Sequence, residues 1–265
     1  MNVNAQCTIV VASCDKYADL HGPFIGSFRR HWPDCQWPVV LLTETTCGAL
    51  PQGLAFDRVV TTGRGKCWSA MMAELLQSVE TPYVILMMDD YLVSSRVPTA
   101  EVVARFEQAK MFDAANLRLV PSPKGGIPFR DTDLLECPKQ TAYCVSCQVG
   151  FWARDYLLAL VERTKSAWEF EREGSFMVGA ESRPILHTKT LEFPFVDSVH
   201  KGYWERAGLS VCRANGIEPD LAKRALPPFK VRLVEALKKL VFAVFPWTFI
   251  VRVQNRLGAG ARESA

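Results

Sequence analysis

Tyr83-Val84-Ile85-Leu86-Met87-Met88-Asp89-Asp90-Tyr91 is the stretch whose reading decides the fold. Its opening run, from Tyr83 to Met88, is unbroken apolar sequence of strand length. No period-2 alternation is present, so the pattern predicts a strand covered on both faces, as inside a parallel sheet. Two carboxylates appear where that run stops. In open α/β sheets, ligands bind beyond the carboxyl ends of the strands. Acids at such an end can hold a divalent cation through oxygen ligands. They can also accept hydroxyl protons from a sugar, or simply stand solvated in a turn.

Outward from this strand, others are expected at residues 8–12, 39–43 and 57–61, with weaker candidates at 116–120 and around 149–153. Helical stretches separate them. In residues 67–79 the apolar side chains Trp68, Met71, Met72, Leu75, Leu76 and Val79 recur at one helical face. Pro98 is placed to open a helix reaching about residue 110, and Asp155 to cap one over 156–164. Strands alternating with helices indicate a doubly wound α/β fold with a mostly parallel sheet. Residues 121–140 break this rhythm with Pro121, Pro123, Gly125, Gly126, Pro128 and Pro138. They read as a loop of functional length, either a mobile lid or acceptor-binding loop or a plain surface excursion.

The chain of 265 residues, 49% of them hydrophobic, suffices for one large domain with an appendage. Its charge is uneven. From Lys223 to Arg256, eight lysines and arginines stand against the single acid Glu235, a charge of +7. Arg262 and Glu263 cancel, so with +3 overall, residues 1–222 carry −4. The expected organisation is therefore a body at 1–222, with halves at about 1–120 and 121–222, and a basic tail at 223–265. In that tail Leu233, Val234, Leu237, Leu240, Val241, Val244 and Phe245 share one helical face until Pro246, and Trp247 and Phe249 extend the apolar surface. Residues 240–251 are too few to cross a bilayer, which takes about 20. A basic amphipathic helix with aromatics on its apolar side suits an anionic membrane surface. Its alternative is a helix docked on its own domain. The body has no basic stripe interleaved with aromatics, which argues against nucleic acid as a partner.

Nine cysteines, and an N-terminus that runs straight into a strand, point to reduced thiols and a cytoplasmic protein. Cys144-Val145-Ser146-Cys147 is a single CxxC with Cys137 nearby. A zinc site normally takes paired motifs, so buried thiols are the expectation here.

Four segments together resemble bacterial glycosyltransferases of the GT-A fold, of the sort that build surface polysaccharides. They are Ser13-Cys14-Asp15-Lys16-Tyr17 with the later His31-Trp32-Pro33-Asp34; Trp68-Ser69; Thr81-Pro82-Tyr83 leading to Asp89-Asp90-Tyr91; and Gln148 to Tyr156 followed by Ala167-Trp168-Glu169-Phe170-Glu171. The resemblance covers about residues 7–205. It implies a Rossmann-like half that binds a nucleotide-sugar donor and a second half that binds a glycan or lipid-linked acceptor, at the inner face of the cell membrane. Asp15, Tyr17, Trp68, Ser69, Asp89, Asp90 and Lys201 are the implied donor contacts. Tyr17 would stack on the base, and Asp15 would reach the base or ribose unless it caps the next helix. The acidic motif departs from the common Asp-x-Asp, because Tyr91 stands where the second acid would be. Asp90, with Asp89, either ligates Mg²⁺ or Mn²⁺ or hydrogen-bonds the donor sugar, and His200 is a further candidate ligand.

Glycosyl transfer passes through an oxocarbenium-like state. The leaving diphosphate needs positive charge, and an inverting enzyme needs a carboxylate to deprotonate the acceptor. Glu171 is the expected base and Glu169 its alternative, in a segment expected to end in a turn at Gly174-Ser175. Trp168 and Phe170 either stack on sugars or fill core. Arg64 and Lys66 either reach phosphate or line a solvated loop. A retaining mechanism on the same fold, or a non-catalytic membrane-associated binding protein, are the competing readings.

Overall fold

The computed structural model describes residues 6–122, 125–139, 141, 143–178 and 181–229. Strands β1 (Cys7–Ala12), β2 (Val39–Thr43), β3 (Arg58–Thr61) and β4 (Tyr83–Met88) are parallel, in the spatial order β3-β2-β1-β4. The continuous apolar runs of β1, β2 and β4 are interior, covered on both faces, while β3 lies at the sheet edge and is largely exposed. The chain lays β2 and β3 on one side of β1, then crosses to the other side for β4. That reversal makes the carboxyl ends of β1 and β4 a topological switch point, outside which open α/β sheets form their ligand crevice.

β1 and β4 end in register, Ala12 opposite Met88. Ser13 and Asp89 therefore leave the sheet side by side, and the Asp89 N–H donates to the Ala12 carbonyl at 3.2 Å.

Past β4 the sheet is mixed. β9 (Gly150–Ala153) lies antiparallel between β4 and β6 (Asn116–Arg118). β10 (Ile185–His187) continues parallel to β6. β7 (Ile127–Pro128) and β8 (Leu135–Glu136) form a short hairpin at the far edge, so residues 127–136 close onto the sheet rather than forming a free loop. β8 and β9 run against the other seven strands. The sequence of β9 is apolar on both faces and carries no sign of direction, which depends on the route of the connection. Gly150 is required there: a Cβ would meet the Arg118 Cα at 2.7 Å and the Leu117 carbonyl at 2.8 Å.

A 3₁₀ helix (Asp15–Leu20) leads into α1 (His21–His31), followed by α2 (Trp68–Ser78), α3 (Thr99–Met111), α4 (Arg154–Val161), α5 (Ala167–Met177) and α6 (Arg206–Ala214). α4 starts earlier than expected, with Ala153 at its N-cap, and Asp155 instead pairs with Arg183 at 3.1 Å. The expected turn at Gly174-Ser175 is helix. Ser175 Oγ donates back to the Glu171 carbonyl at 2.7 Å, and Gly174 lets Val145 approach closely. Under the sheet, Trp32, Trp37, Phe106, Phe151 and Phe193 form a seam with centroid separations of 5.3–5.8 Å. Two ribbons stand above the crevice. β5 (Tyr91–Val93) pairs with β11 (Phe195–Asp197), and β12 (Val199–His200) with β13 (Tyr203–Trp204). Among the described residues no helix is long and apolar enough to cross a membrane.

The body does not end at residue 222. Arg224 is buried, with Nε and Nη2 on the two Asp19 carboxylate oxygens at 2.9 and 3.0 Å. It also donates to the carbonyls of Gly202 and Lys16, and its guanidinium lies 4.4 Å above the Tyr17 ring. The amphipathic pattern of residues 233–249 lies outside the described residues. Breaking a buried ion pair from one side strands the partner's charge, at a cost of about 3 kcal/mol or more. Arg224→Met should lower the melting temperature accordingly. A chain ending after residue 222 should melt equally low, whereas one ending after residue 228 should keep the intact Arg224 clamp. Equal melting of the two truncated chains would show that residues 223–228 are no part of the body.

Candidate active site

The crevice between β1 and β4 is floored by a hydrogen-bonded chain. The Gly48 N–H donates to His21 Nδ1 at 3.0 Å. His21 Nε2 therefore carries the ring proton, and it meets Ser13 Oγ at 2.7 Å. The Ser13 hydroxyl in turn donates to Asp89 Oδ2. Burial lowers His21 to about 4, which keeps it neutral in this role. Gly48 is obligatory, since a Cβ would sit 1.8 Å from the Ala18 carbonyl oxygen. Asp89 is buried, and burial followed by the charge of Asp90 raises its carboxyl well above the usual range.

Asp90 is half-buried at the mouth. Its carbonyl accepts the Ser198 N–H at 2.8 Å, which ties it to the β11 ribbon. Burial, then the charge of Asp197, pushes the Asp90 carboxyl up to about 7. Asp197 faces Tyr91 in the ribbon register and is itself raised, by burial first, with His200 acting against the shift. Arg224 is the cation that lowers Asp89 and Asp90 alike. Among the described residues no three His, Cys, Asp or Glu side chains form a metal-holding group. Asp89 is engaged by Ser13, so Asp90 and Asp197 are the acids that would hold a divalent cation, with His200 beside them. Mg²⁺ commonly binds through one or two carboxylates plus waters and substrate phosphates, and this pair fits that pattern. Lys201 follows His200 in the ribbon turn, at a φ of +50°.

Glu171 reaches the same place from α5. Its Oε1 accepts from Ser146 Oγ at 3.0 Å and from the Cys147 N–H at 2.8 Å. Because β9 runs antiparallel, the residues just before it lie at the carboxyl end of β4. Tyr91 is buried between the two acidic groups, with Gln148 Nε2 3.5 Å from its hydroxyl. Burial raises the Tyr91 hydroxyl, and Cys147, Asp90, Asp197 and Glu171 add to the shift. The Cys147 thiol, raised first by burial, feels both Glu171 and Asp90. Acids from β4, the β11 ribbon and α5 thus act on one another's surroundings.

Other expected contacts form the frame. Glu169 belongs to a capping box: its N–H donates to Ser166 Oγ at 3.2 Å, and its Oε2 accepts the Lys165 N–H at 2.6 Å. Asp15 is not the N-cap of the 3₁₀ helix, a place held by Cys14. It accepts from the Thr45 hydroxyl and N–H at 2.5 and 2.9 Å and from the Thr46 N–H at 3.3 Å, and the Thr45 bonds lower it to about 2. Arg64 Nε approaches Asp15 at 3.5 Å, and Lys66 pairs with Glu74. Tyr17 lies under Arg224. Ser69 Oγ bonds Thr164 Oγ1 at 2.9 Å, and the Trp68 ring packs on Phe170 at 5.5 Å. Phe170 is core, whereas Trp168 is 74% exposed and free to stack on a ligand.

Four residues of the site escape sequence reading: Ser13, His21, Asp197 and Arg224. Ser13 alone carries a usable signal, as the first polar residue after an interior strand that neighbours β4. No protein-family profile matches the chain, and a comparison with curated proteins finds no significant match.

The crowded acids set a pH dependence. The folded Asp90 carboxyl lies above its ordinary value of about 4, so ionising it opposes folding. That cost is absent below about pH 4 and complete above about pH 7. Asp90→Asn should therefore stabilise the protein at pH 8, by about 2 kcal/mol after allowance for solvent screening, and change nothing at pH 4. Thermal melts of both proteins across this range check it. Asp90→Asn melting below the wild type at pH 8 would contradict the raised carboxyl.

Proposed function

We propose that this chain is a GT-A-type glycosyltransferase that moves a sugar from a nucleotide-sugar to a glycan or lipid-linked acceptor in cell-surface polysaccharide synthesis. The observation that carries this reading is the position of Asp89-Asp90 at the switch point between β1 and β4, facing Glu171 across Tyr91. A nucleotide-sugar would lie across the crevice with its diphosphate toward Asp90, Asp197, His200 and Lys201. A divalent cation bound there would supply positive charge to the leaving diphosphate.

The chain's own residues account for the rest. Ser13 and the neutral His21 fix Asp89 at the floor. Glu171 is held through Oε1, and its carboxylate would take the proton of the acceptor hydroxyl. Trp168 offers a flat apolar face for a sugar ring at the start of the same helix. Inversion follows if Glu171 is the base. Retention would leave Glu171 dispensable, and the anomeric configuration of the product separates the two.

Asp90→Asn should reduce transfer by about 10²-fold or more, as removal of an electrostatic contact does in other active sites. Glu171→Gln should lower turnover by about 10²–10⁴-fold and leave the donor KM nearly unchanged, because a general base acts on the acceptor proton. Initial rates against donor concentration in both variants test this. Full activity in both would sink the assignment.

The basic segment beyond residue 229 is proposed to hold the enzyme on the anionic inner face of the cell membrane. Each basic residue near such a surface contributes about 1 kcal/mol, and salt weakens this attraction. Full-length protein should pellet with anionic vesicles and dissociate only partly at high salt. A chain ending after residue 228 should stay in the supernatant and still bind donor. Equal pelleting of the two proteins would refute the role of the tail.

A further inference from the structure

We propose that Gln148 reads the hydroxyls of the transferred sugar, and that this sugar is an uncharged pyranose carrying adjacent free hydroxyls. The inference rests on the transferase reading above and names the class of sugar that the same site accepts. Gln148 lies two residues before Gly150, the β9 partner of Leu86 on β4, so it stands at the end of the sheet where Asp89 and Asp90 emerge. Its side chain is half-buried. Nε2 is 3.5 Å from the hydroxyl of Tyr91, the residue that follows Asp90. The Gln148 backbone N–H donates to Ser146 Oγ at 3.3 Å, and that hydroxyl donates to Glu171 Oε1 at 3.0 Å. A run of contacts therefore links the Asp90-Tyr91 corner to Glu171, with Gln148 in the middle.

Glycosyl transfer places the anomeric carbon between the leaving diphosphate and the acceptor hydroxyl. With the diphosphate toward Asp90 and the acceptor at Glu171, the transferred sugar has to span the gap in which Gln148 sits. Tyr91 is a fixed wall of that gap: it is buried, and its ring lies 4.7 Å from the Phe195 ring. Its hydroxyl occupies one amide hydrogen of Gln148 and leaves the other. Oε1 accepts from no described residue and is not enclosed. A carboxamide thus offers a donor and an acceptor side by side. Two hydroxyls on neighbouring ring carbons, one accepting and one donating, complement it. A sugar lacking one of them leaves a polar group of the site unpaired, which is how such sites reject deoxy analogues.

Charge decides against an acidic sugar. Asp90, Asp197 and Glu171 come to this region from β4, the β11 ribbon and α5. The guanidinium groups nearby are already engaged. Arg224 is held by both Asp19 oxygens, and Arg118 is buried on β6 with Nη1 on the Tyr143 carbonyl at 3.0 Å. His200 and Lys201 belong to the β12–β13 ribbon, on the side given to the diphosphate. A uronate carboxylate beside Gln148 would face like charge, and the carboxamide has no charge to answer it.

The test is calorimetric titration of the full-length protein with Mn²⁺ present. The donors are UDP-glucose against UDP-glucuronate, UDP-galactose against UDP-galacturonate and GDP-mannose against GDP-mannuronate, with dTDP-rhamnose and the bare diphosphates UDP, GDP and dTDP. A neutral donor should bind, and by about 10-fold or more over its uronate where the pair exists, because like charges in a site are repelled. Gln148→Met keeps the length of the side chain and removes the amide. It should weaken the preferred neutral donor by about 10-fold, the loss of one or two hydrogen bonds. Binding of the matching bare diphosphate should stay within about 2-fold, since the lost bonds belong to the sugar. Gln148→Glu, similar in shape but charged and without the donor hydrogens, should show the same selective loss. A neutral donor bound equally by wild type and Gln148→Met would overturn the role of Gln148 and leave the transferase reading standing. A loss shared equally by donor and bare diphosphate in both variants would make Gln148 structural and overturn it too. A uronate bound more tightly than its neutral partner would overturn the sugar class. Binding of no donor and no diphosphate would bring down the transferase reading, and this inference with it.

Discussion

The in-register parallel pairing of β1 and β4 is the constraint on which the rest of the molecule depends. With Ala12 opposite Met88, the first polar residues after the two strands emerge as neighbours. A one-residue slip in either strand would turn the Asp89 and Ser13 side chains to opposite faces, because side-chain direction alternates at every residue. Both strands are covered on both faces, so register is enforced from above and below by helices and by the aromatic seam. Ser13, His21 and Gly48 then follow as consequences: once Asp89 is buried at the crevice floor, its carboxylate needs a donor, and the donor needs its own support.

Charge is distributed unevenly around that floor. Asp89, Asp90 and Asp197 are all raised, mainly by burial. Arg224 is the one buried cation acting on Asp89 and Asp90 among the described residues, and its guanidinium is already shared with Asp19. Burial therefore outweighs the positive charge of Arg224 at Asp89 and Asp90 and of His200 at Asp197. Sites held in this condition are suited to a cationic ligand, or to protonation, and perturbed carboxyls of this kind cluster where proteins bind and react. Asp19 with Arg224 works in the opposite sense: opposite charges meet in good geometry and lock the C-terminal end of the described chain onto its start.

Helix α5 combines two roles that its sequence places two residues apart. Glu169 completes the capping box at the helix start, and Glu171, farther round the helix, is aimed at the segment before β9. The same segment donates the Val145 N–H to Ser175 Oγ and the Cys147 N–H to Glu171, so α5 holds it at two points. The CxxC spacing is incidental to this arrangement. Of the two cysteines, Cys147 contributes its backbone N–H to Glu171.

By itself the sequence determined the interior strands, because unbroken apolar runs such as Tyr83–Met88 have few places to go but a covered sheet. It also determined the amphipathic face of α2 and the placing of Asp89, Asp90 and Glu171 as the acids to watch. Tertiary structure alone decided the direction of β9, since a four-residue strand buried on both faces pairs equally well either way. It decided that Gly174-Ser175 continues a helix, because Val145 packs where a side chain would have been. Asp15 and Glu169 looked like ligand contacts by type and position; Asp15 accepts from Thr45 and Thr46, about thirty residues away, which local sequence does not reveal, whereas the Ser166–Glu169 spacing that ties Glu169 to its helix start is written in the sequence. His21, Asp197 and Arg224 enter the site from separate parts of the chain. Their roles arise from juxtaposition, and juxtaposition across 200 residues is a property of the folded chain that no window of sequence contains.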